Sequence, residues 1–168
     1  MLNIMSGLIE SIAKKLRQKS LTVGTVESAS GGLIANSITN MPGSSKYFKG
    51  SVVSYSNEIK MKVVGVKKES IDNYGAVSSI VAEEMASGGR RLLGVDICLS
   101  DTGIAGPGGQ TADKPIGLFY LGLSCKEGTY SQKHIFNGSR IENKQSATEA
   151  ALSWLNEYLS SAWQPELF

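Results

Sequence analysis

The stretch LTVGTVESASGG, residues 21–32, decides how this chain is expected to fold. Its first half, 21–26, alternates and carries valine and threonine, which is typical of a β-strand. Its second half is rich in serine and glycine and precedes an apolar helical segment that reaches about residue 40, for which Ser28 or Ser30 offers an N-cap. A strand that ends in such a loop before a helix indicates an open α/β sheet, which carries its chemistry at that edge.

A second glycine-rich stretch, SDTGIAGPGG at 100–109, follows the apolar run 96–100, for which we predict another strand. The two loops are therefore expected at one edge of the same sheet. Between them in the chain lies VSYSNEIK, residues 53–60, which adds a phenol and a lysine to a site already supplied with hydroxyls and backbone donors. This combination indicates an enzyme that needs no metal and no cofactor.

Hydrophobic periodicity predicts the remaining elements. Helices are predicted at 4–16, at 57–64, after an N-cap at Ser78, and at 142–160. Strands are predicted at 48–56, 116–124 and 129–136, and 70–75 is predicted to be a connection. The inward positions of the last two helices are predicted to be Val81, Met85 and Leu92, and then Ala147, Ala150, Ala151, Trp154 and Leu155.

Helix and strand patterns alternate over the first two thirds of the chain, and two adjacent strands then precede the last helix. We therefore predict an α/β fold, a three-layer α/β/α sandwich with a mixed, mostly parallel sheet. The pattern predicts a single domain over 1–168 without repeats or linkers. The tail at 164–168 is expected to be loose.

Composition and charge exclude several classes of protein. Of 168 residues, 41% are hydrophobic and 19% charged, which is enough for a core and argues against disorder. A net charge of +2 gives no broad attraction for nucleic acid or for an anionic membrane. Cys98 and Cys125 lie in apolar runs and are predicted to be buried reduced thiols. No spanning segment or signal peptide is recognised, so a cytoplasmic location is expected.

Ser28 is the candidate nucleophile, because a hydroxyl between a strand and a helix can stand above the sheet while backbone amides point at the group it attacks. A helix-capping role for this serine or for Ser30 is the alternative, and it stays open. Gly31 and Gly32 favour the nucleophile, since they let a ligand approach the backbone closely.

Lys60 is the candidate base. The single histidine, His134, lies in a predicted strand beside no carboxylate pattern, so a Ser/His/Asp triad is disfavoured. A lysine can take its place if burial lowers its pKa from about 10.4 toward neutrality. Tyr55 is expected to orient this base or share its proton. A solvated lysine and a packed tyrosine are the alternatives at these two positions.

Two further segments predict an anion site. The loop from Thr102 to Gly109 has the backbone freedom to form a nest of amides for a phosphate, a carboxylate or an oxyanion. It is not a Walker A loop, because Gly109 and Gln110 stand where Lys and Ser or Thr are required. Arg140 opens the last helix with Lys144 one turn on, so the two can hold a phosphate, or can both be ordinary solvated side chains.

Ordered motifs over about residues 22–159 resemble the CinA C-terminal domain family, whose members include stand-alone nicotinamide mononucleotide deamidases. The motifs are ES-x-SGG at 27–32, PGSS at 42–45, V-x-YSNE-x-K at 53–60, YGAVS at 74–78, TGIAGPGG at 102–109, KPIG at 114–117 and F-x-G-x-R at 136–140. Together they are highly specific, although any one alone would be weak.

The resemblance implies a three-layer α/β/α sandwich that hydrolyses the carboxamide of nicotinamide mononucleotide to the carboxylate and releases ammonia. It implies Ser28 as nucleophile, Lys60 as base and Tyr55 close by, with a pyridine mononucleotide as partner and a homo-oligomer as assembly. Substrate-binding residues are expected at Ser30, Gly31, Gly32, Asn57, Thr102, Gly103, Gly106, Gly108, Arg140 and Lys144.

The chain departs from the family pattern in places. Ala29 and Ser30 stand where the family usually has cysteine and threonine, a change that keeps one hydroxyl and leaves the nucleophile untouched. After Gly138 the family often has Asp-Arg and a second arginine, where this chain has Ser139, Arg140 and Lys144; lysine keeps the charge but loses bidentate geometry.

Two alternatives to the enzyme stay open. One is a non-catalytic nucleotide-binding module that uses the same pocket. The other is a competence or damage-associated factor that binds DNA, against which the small net charge argues.

Overall fold

The computed structural model describes residues 2–160, with side chains from Met5 onward. Within that span one sheet contains β1 (Val23–Glu27), β2 (Phe48–Val53), β3 (Ile97–Gly103), β4 (Leu118–Ser124) and β5 (Thr129–Ile135), in the order β2-β1-β3-β4-β5. The tail predicted to be loose, 164–168, lies outside the described residues.

The helices lie on both faces of the sheet. They are α1 (Leu2–Lys19), α2 (Leu33–Thr39), α3 (Asn57–Val64), α4 (Lys68–Tyr74), α5 (Ser79–Leu93) and α6 (Arg140–Tyr158), with a short 3₁₀ turn at Ser44–Lys46. The α1, α2 and α6 helices pack together on one face, and α3 and α4 pack against α5 on the other. The predicted three-layer α/β/α sandwich is confirmed.

The sheet is mixed, as predicted. Among residues 2–160, β1 pairs in parallel with β2 and β3, whereas β3 with β4 and β4 with β5 are antiparallel, so the pairings divide evenly rather than being mostly parallel. The physical reason is the connections, because no helix lies between β3 and β4 or between β4 and β5 to carry the chain back across the sheet.

Two apolar layers flank β1 and β3. Val23 and Leu99 pack with α1, α2 and α6 in one cluster, and Val26 and Cys98 pack with α3 and α5 in the other. Cys98 and Cys125 are buried free thiols, as predicted. No helix in the described span has the length and apolar character needed to cross a bilayer.

Several boundaries differ from the prediction. The segment predicted as a connection, 70–75, belongs to α4, where buried Ser70 Oγ donates to Glu84 of α5. The predicted inward Leu92 is 51% exposed, because the buried stripe of α5 advances by four residues from Met85 to Gly89 and continues to the partly buried Leu93.

The polar ends of two strands were also misassigned. The β2 strand ends at Val53 instead of residue 56, because Ser56 already caps α3. The β3 strand continues past residue 100 through Gly103, because this end pairs with β4 as far as Phe119. The first residues of the second glycine-rich stretch are therefore held in the sheet.

Candidate active site

The carboxyl ends of the three parallel strands β1, β2 and β3 meet at one edge of the sheet. Ser28 follows β1, Ser54 follows β2, and Gly103 ends β3. A cleft of about 210 Å³ opens there. The predicted site residues that line it are Ser28, Tyr55, Asn57, Lys60, Thr102, Gly103 and Arg140.

Ser28 and Lys60 are in direct contact in this cleft. Lys60 Nζ lies 2.8 Å from Ser28 Oγ, although the residues are 32 positions apart in the sequence. Lys60 lies on the first turn of α3, which Ser56 begins by accepting a hydrogen bond from Ile59 N. Only 2% of Lys60 and 7% of Ser28 is exposed. The solvated-lysine alternative is therefore wrong.

The surroundings of the Lys60 amine suit its neutral form. Burial lowers the pKa of Lys60 from its ordinary value, and the charge of Asp101 acts in the opposite direction. Besides Ser28, Nζ contacts Ser54 O at 2.8 Å and Tyr55 O at 3.2 Å. A neutral amine has two N–H donors for these carbonyls and one lone pair that accepts from the serine hydroxyl. That is the form in which a lysine acts as a base.

The start of α2 is capped by a carboxylate. The residue at the N-cap is Gly32, with a left-handed φ of 97° and no side chain to cap with, so the expectation that Ser28 or Ser30 caps this helix is wrong. Glu27, fully buried at the end of β1, accepts from the amides of Gly32, Ile34 and Ala35. Both serines are thereby left for other contacts.

Glu27→Ala is expected to destabilise the fold. The change leaves one buried and two partly buried amide donors at the start of α2 without this acceptor, and a buried one costs about 1–3 kcal/mol, so we expect the free energy of unfolding to fall by about 2–3 kcal/mol. Urea denaturation of this variant beside Glu10→Ala, a change at an exposed α1 position, measures the loss. A loss below about 1 kcal/mol would show that Glu27 does not hold this helix.

Asp101 lies under the nucleophile loop. This fully buried β3 side chain accepts from Ser28 N at 3.1 Å and from Ser30 N at 3.0 Å, and it contacts Ser30 Oγ. Burial, together with the charge of Glu27, raises the pKa of Asp101 to about 6 against the lowering effect of hydrogen bonds from the two serines. Ser30 itself is 1% exposed and bonds to these carboxyl groups beneath the cleft instead of lining it.

Tyr55 and Arg140 form a pair at the mouth of the cleft. Arg140 donates to Tyr55 Oη at 3.1 Å and to Gly106 O at 2.7 Å, and the tyrosine is 62% exposed. The phenol thus contacts the guanidinium, and it is the main-chain carbonyl of Tyr55 that contacts Lys60. The packed-aromatic alternative for Tyr55 is wrong.

The loop after β3 is held against α6. Buried Asn143 donates to Ala105 O and to Gly138 O. Gly103 lines the cleft, and a Cβ there would lie 2.5 Å from the Phe119 ring, so the strand end has room for glycine alone. This arrangement fixes the floor of the cleft.

Lys144 and the remaining predicted glycines surround the cleft without lining it. Gly31 and Gly32 both have left-handed φ values, and a Cβ on Gly31 would lie 3.4 Å from Lys144 Nζ. Gly106 contributes its carbonyl to Arg140, and Gly108 is exposed. Thr102 lines the cleft while its hydroxyl donates to Ala76 O.

Sequence reasoning missed several residues that shape the site. Ala29, Ala76 and Val77 line the cleft, and the motif YGAVS at 74–78 was a signal for the last two. Ala105 lines it too and belongs to the loop that was predicted at the site. His134 lies in β5, stacked on Phe136 away from the cleft lining. Among residues 2–160 no group of three or more potential metal-ligating side chains occurs.

Comparison with known proteins gives one consistent result. A sequence profile of the CinA C-terminal domain matches residues 5–159. A CinA-like protein of Sulfurihydrogenibium sp. is 44% identical over 152 residues, which are 90% of this chain and 38% of that protein. A protein of Halothermothrix orenii named as competence-damage inducible is 46% identical over 160 residues, 95% of this chain and 39% of that protein. The chain spans at most 39% of the length of these two relatives.

Solved structures agree with the sequence matches. The crystal structure of the competence/damage inducible protein CihA from Agrobacterium tumefaciens superposes with a TM-score of 0.87 at 33% identity, covering 90% of this chain and 93% of that one. That of the competence damage-inducible protein A from Klebsiella pneumoniae gives 0.91 at 29% identity, covering 95% and 99%. Neither name states a chemical reaction.

Proposed function

The chain belongs to the CinA C-terminal domain family, and we propose that it is an amidohydrolase that converts nicotinamide mononucleotide to nicotinate mononucleotide and ammonia. The observation that carries this proposal is the contact of 2.8 Å between Lys60 Nζ and Ser28 Oγ at the buried end of an open cleft. A serine paired with a desolvated lysine is a recognised arrangement for attack on an amide.

The first step forms an acyl-enzyme. Ser28 Oγ attacks the carboxamide carbon while Lys60 Nζ, held by Ser54 O and Tyr55 O, takes the hydroxyl proton. The protonated amine then returns that proton to the nitrogen of the amide, and the C–N bond breaks with release of ammonia. Water next attacks the ester carbon, Lys60 takes one of its protons, and Ser28 recovers its hydroxyl as the acid product leaves.

Backbone amides beside the nucleophile support the tetrahedral intermediate. The amides of Ser28, Ser30 and Gly32 already donate to carboxyl groups. In the described part of the chain, the amide of Ala29 donates to no protein acceptor, and this residue lines the cleft. The N–H after the nucleophile is a common oxyanion donor, and one such donor is worth about 3–4 kcal/mol in studied enzymes.

Arg140 is the proposed contact for the substrate phosphate. Its guanidinium lies at the cleft mouth, on the first residue of α6, where a fixed positive charge favours an anion. The hydrogen bonds to Gly106 O and Tyr55 Oη hold it in place before substrate arrives. Lys144, beside Gly31, adds a second positive charge one turn along the helix. A pyridine base in the cleft would then place its carboxamide toward Ser28.

The direct test is an ammonia-release assay with nicotinamide mononucleotide, with nicotinate mononucleotide quantified in the same samples. We expect both products in equal amounts and a transient acyl-enzyme detectable by mass spectrometry of the intact protein. Tight binding of the nucleotide with no ammonia would instead support the non-catalytic binding module. If ammonia were released from other small amides but not from this nucleotide, the chain would be an amidase with a different substrate.

Arg140→Ala is expected to weaken use of the phosphorylated substrate selectively. Loss of charge-assisted hydrogen bonds worth about 1.5–3 kcal/mol lowers kcat/KM for nicotinamide mononucleotide by about 10- to 100-fold. Nicotinamide riboside lacks the phosphate, so its kcat/KM should change by less than about threefold. Steady-state kinetics on both compounds measure the difference, and Arg91→Ala on exposed α5 surface is the matched control. An equal fall in kcat/KM for both compounds would show that Arg140 does not contact the phosphate.

A further inference from the structure

Two fully buried carboxyl groups share a single hydroxyl below the cleft. Ser30 Oγ lies 2.7 Å from Glu27 Oε2 and also contacts Asp101 Oδ1. A serine hydroxyl has one proton and donates one hydrogen bond. With both carboxyl groups ionised, one of these two contacts would bring the lone pairs of two oxygens together in a buried site. One of the two carboxyl groups must therefore carry a proton.

The pattern of donors decides which group is ionised. Glu27 accepts from Thr25 Oγ1 and from the amides of Gly32, Ile34 and Ala35, which occupy its oxygens with donors independently of Ser30. Among the described residues, the donors to Asp101 apart from Ser30 Oγ are two amides, those of Ser28 and Ser30. Hydrogen bonds of this kind favour the anion. Glu27 is thus the anion that takes the Ser30 proton, and Asp101 is the acid.

We propose that Asp101 is a neutral acid that donates to Ser30 Oγ and accepts from the amides of Ser28 and Ser30. Because it is uncharged, it does not stabilise the protonated form of the Lys60 amine. This makes Asp101 a positioning residue for the serine and lysine pair. Its effect on catalysis rests on the proposed function, whereas its protonation does not.

Burial acts in the same direction as this hydrogen-bond pattern. Burial and the charge of Glu27 raise the pKa of Asp101 to about 6, although a hydrogen bond donated by Ser30 lowers it. Once the Ser30 proton goes to Glu27, the hydrogen bond runs from the acid to the serine and favours the protonated form instead. That direction of donation raises the pKa of Asp101 further and favours its neutral form.

The charged groups around Asp101 come from three elements. Glu27 at the end of β1 raises the pKa of Asp101, and Lys60 of α3 interacts with it through space. Lys144 of α6 approaches the same loop at Gly31. An ionised Asp101 would raise the pKa of Lys60 and oppose the effect of burial. A neutral Asp101 leaves burial to act alone, and the amine is then free to accept the proton of Ser28.

The first experiment reads the proton directly and needs no activity. The chain has four aspartates, Asp72, Asp96, Asp101 and Asp113, and of these Asp101 alone is buried while the others are exposed. Carboxyl-carbon NMR of protein labelled with ¹³C-aspartate follows each one against pH, and Asp101→Asn identifies the Asp101 signal by its disappearance. We expect Asp101 to be mostly protonated at neutral pH. A signal mostly ionised at neutral pH overturns the proposal.

The second experiment reads the consequence for Lys60. Asparagine stays neutral and can donate to Ser30 Oγ, so in Asp101→Asn the acid limb of the kcat profile should keep its midpoint within about half a pH unit. Asp101→Ala, which lacks donor and acceptor, should lose more turnover than Asp101→Asn. If the midpoint of the acid limb fell by about one pH unit or more in Asp101→Asn, the substitution would have removed a negative charge from beside Lys60, and the proposal would be overturned.

Failure of the proposed function is a separate result. If the wild-type chain released no ammonia from any amide, the amidase would be rejected while the carboxyl NMR still decided the state of Asp101. If Asp101→Asn did not fold, substitutions of the three exposed aspartates would assign their signals, and the signal left over would be that of Asp101.

Discussion

Ser28→Ala is expected to reduce the rate of ammonia release by at least about 10⁴-fold, because among residues 2–160 Ser28 Oγ is the one hydroxyl within hydrogen-bond distance of Lys60 Nζ. Ser28 contacts Lys60 Nζ, while the hydroxyl of the neighbouring Ser30 is bound to Glu27 and Asp101. The measurement is single-turnover ammonia release together with mass spectrometry of the intact chain, in which the acyl adduct should be absent.

The control for this variant is Ser37→Ala on α2, which removes a hydroxyl bonded to Leu33 O outside the cleft. Both variants should unfold at similar urea concentrations, since neither change opens a large cavity. If Ser28→Ala kept more than about a tenth of wild-type turnover, Ser28 would not be the nucleophile.

Lys60→Met is expected to remove activity to a similar extent, because methionine fills the buried channel without a basic nitrogen. Lys60→Arg should be inactive as well, since a guanidinium stays protonated and cannot accept the proton of Ser28. Lys62→Met is the matched control, because Lys62 lies on the same short helix with its side chain exposed. If Lys60→Met kept wild-type turnover, Lys60 would not be the base.

The same variant tests the ionisation of Lys60 through stability. Burial lowers the pKa of Lys60 in the folded protein, so the unfolded chain holds this proton more tightly. Wild-type stability therefore rises with pH between the folded pKa and the ordinary value of 10.5, and falls as pH drops through that window. Relative to Lys60→Met, the wild-type free energy of unfolding should increase as pH rises from neutral toward 10.5.

Urea denaturation of wild type and Lys60→Met at a series of pH values measures this difference. A difference between wild type and Lys60→Met that did not change with pH would mean that the folded pKa of Lys60 is ordinary. In that case the lysine could not serve as a neutral base at neutral pH.

Much of the fold could be read from local pattern. The helix at 57–64 was predicted to the residue, although Ser56, which caps it, was assigned to the preceding strand. The short helix α4 was missed, since its seven residues carry too little apolar period to stand out. Its place depends on Glu84 of α5, which bonds to Ser70 and to Lys67 N.

The candidate site was predictable in part. Ser28 and Lys60 stood out by their positions after two strands and by resemblance to a family pattern, and the structure brings them into contact. Glu27 and Asp101 did not stand out. A carboxylate at a strand end is ordinarily solvated, and nothing local indicates that these two are buried around Ser30.

The sequence by itself determined which chemical groups follow each strand, because strand and helix periods and glycine positions are local properties of the chain. Only the tertiary structure decided the state of those groups. The charge on an amine or a carboxyl group depends on how much water its surroundings exclude and on which donors face it. Lys60, Glu27 and Asp101 acquire those surroundings from β1, β3, α2 and α3 together, and no one segment contains that information.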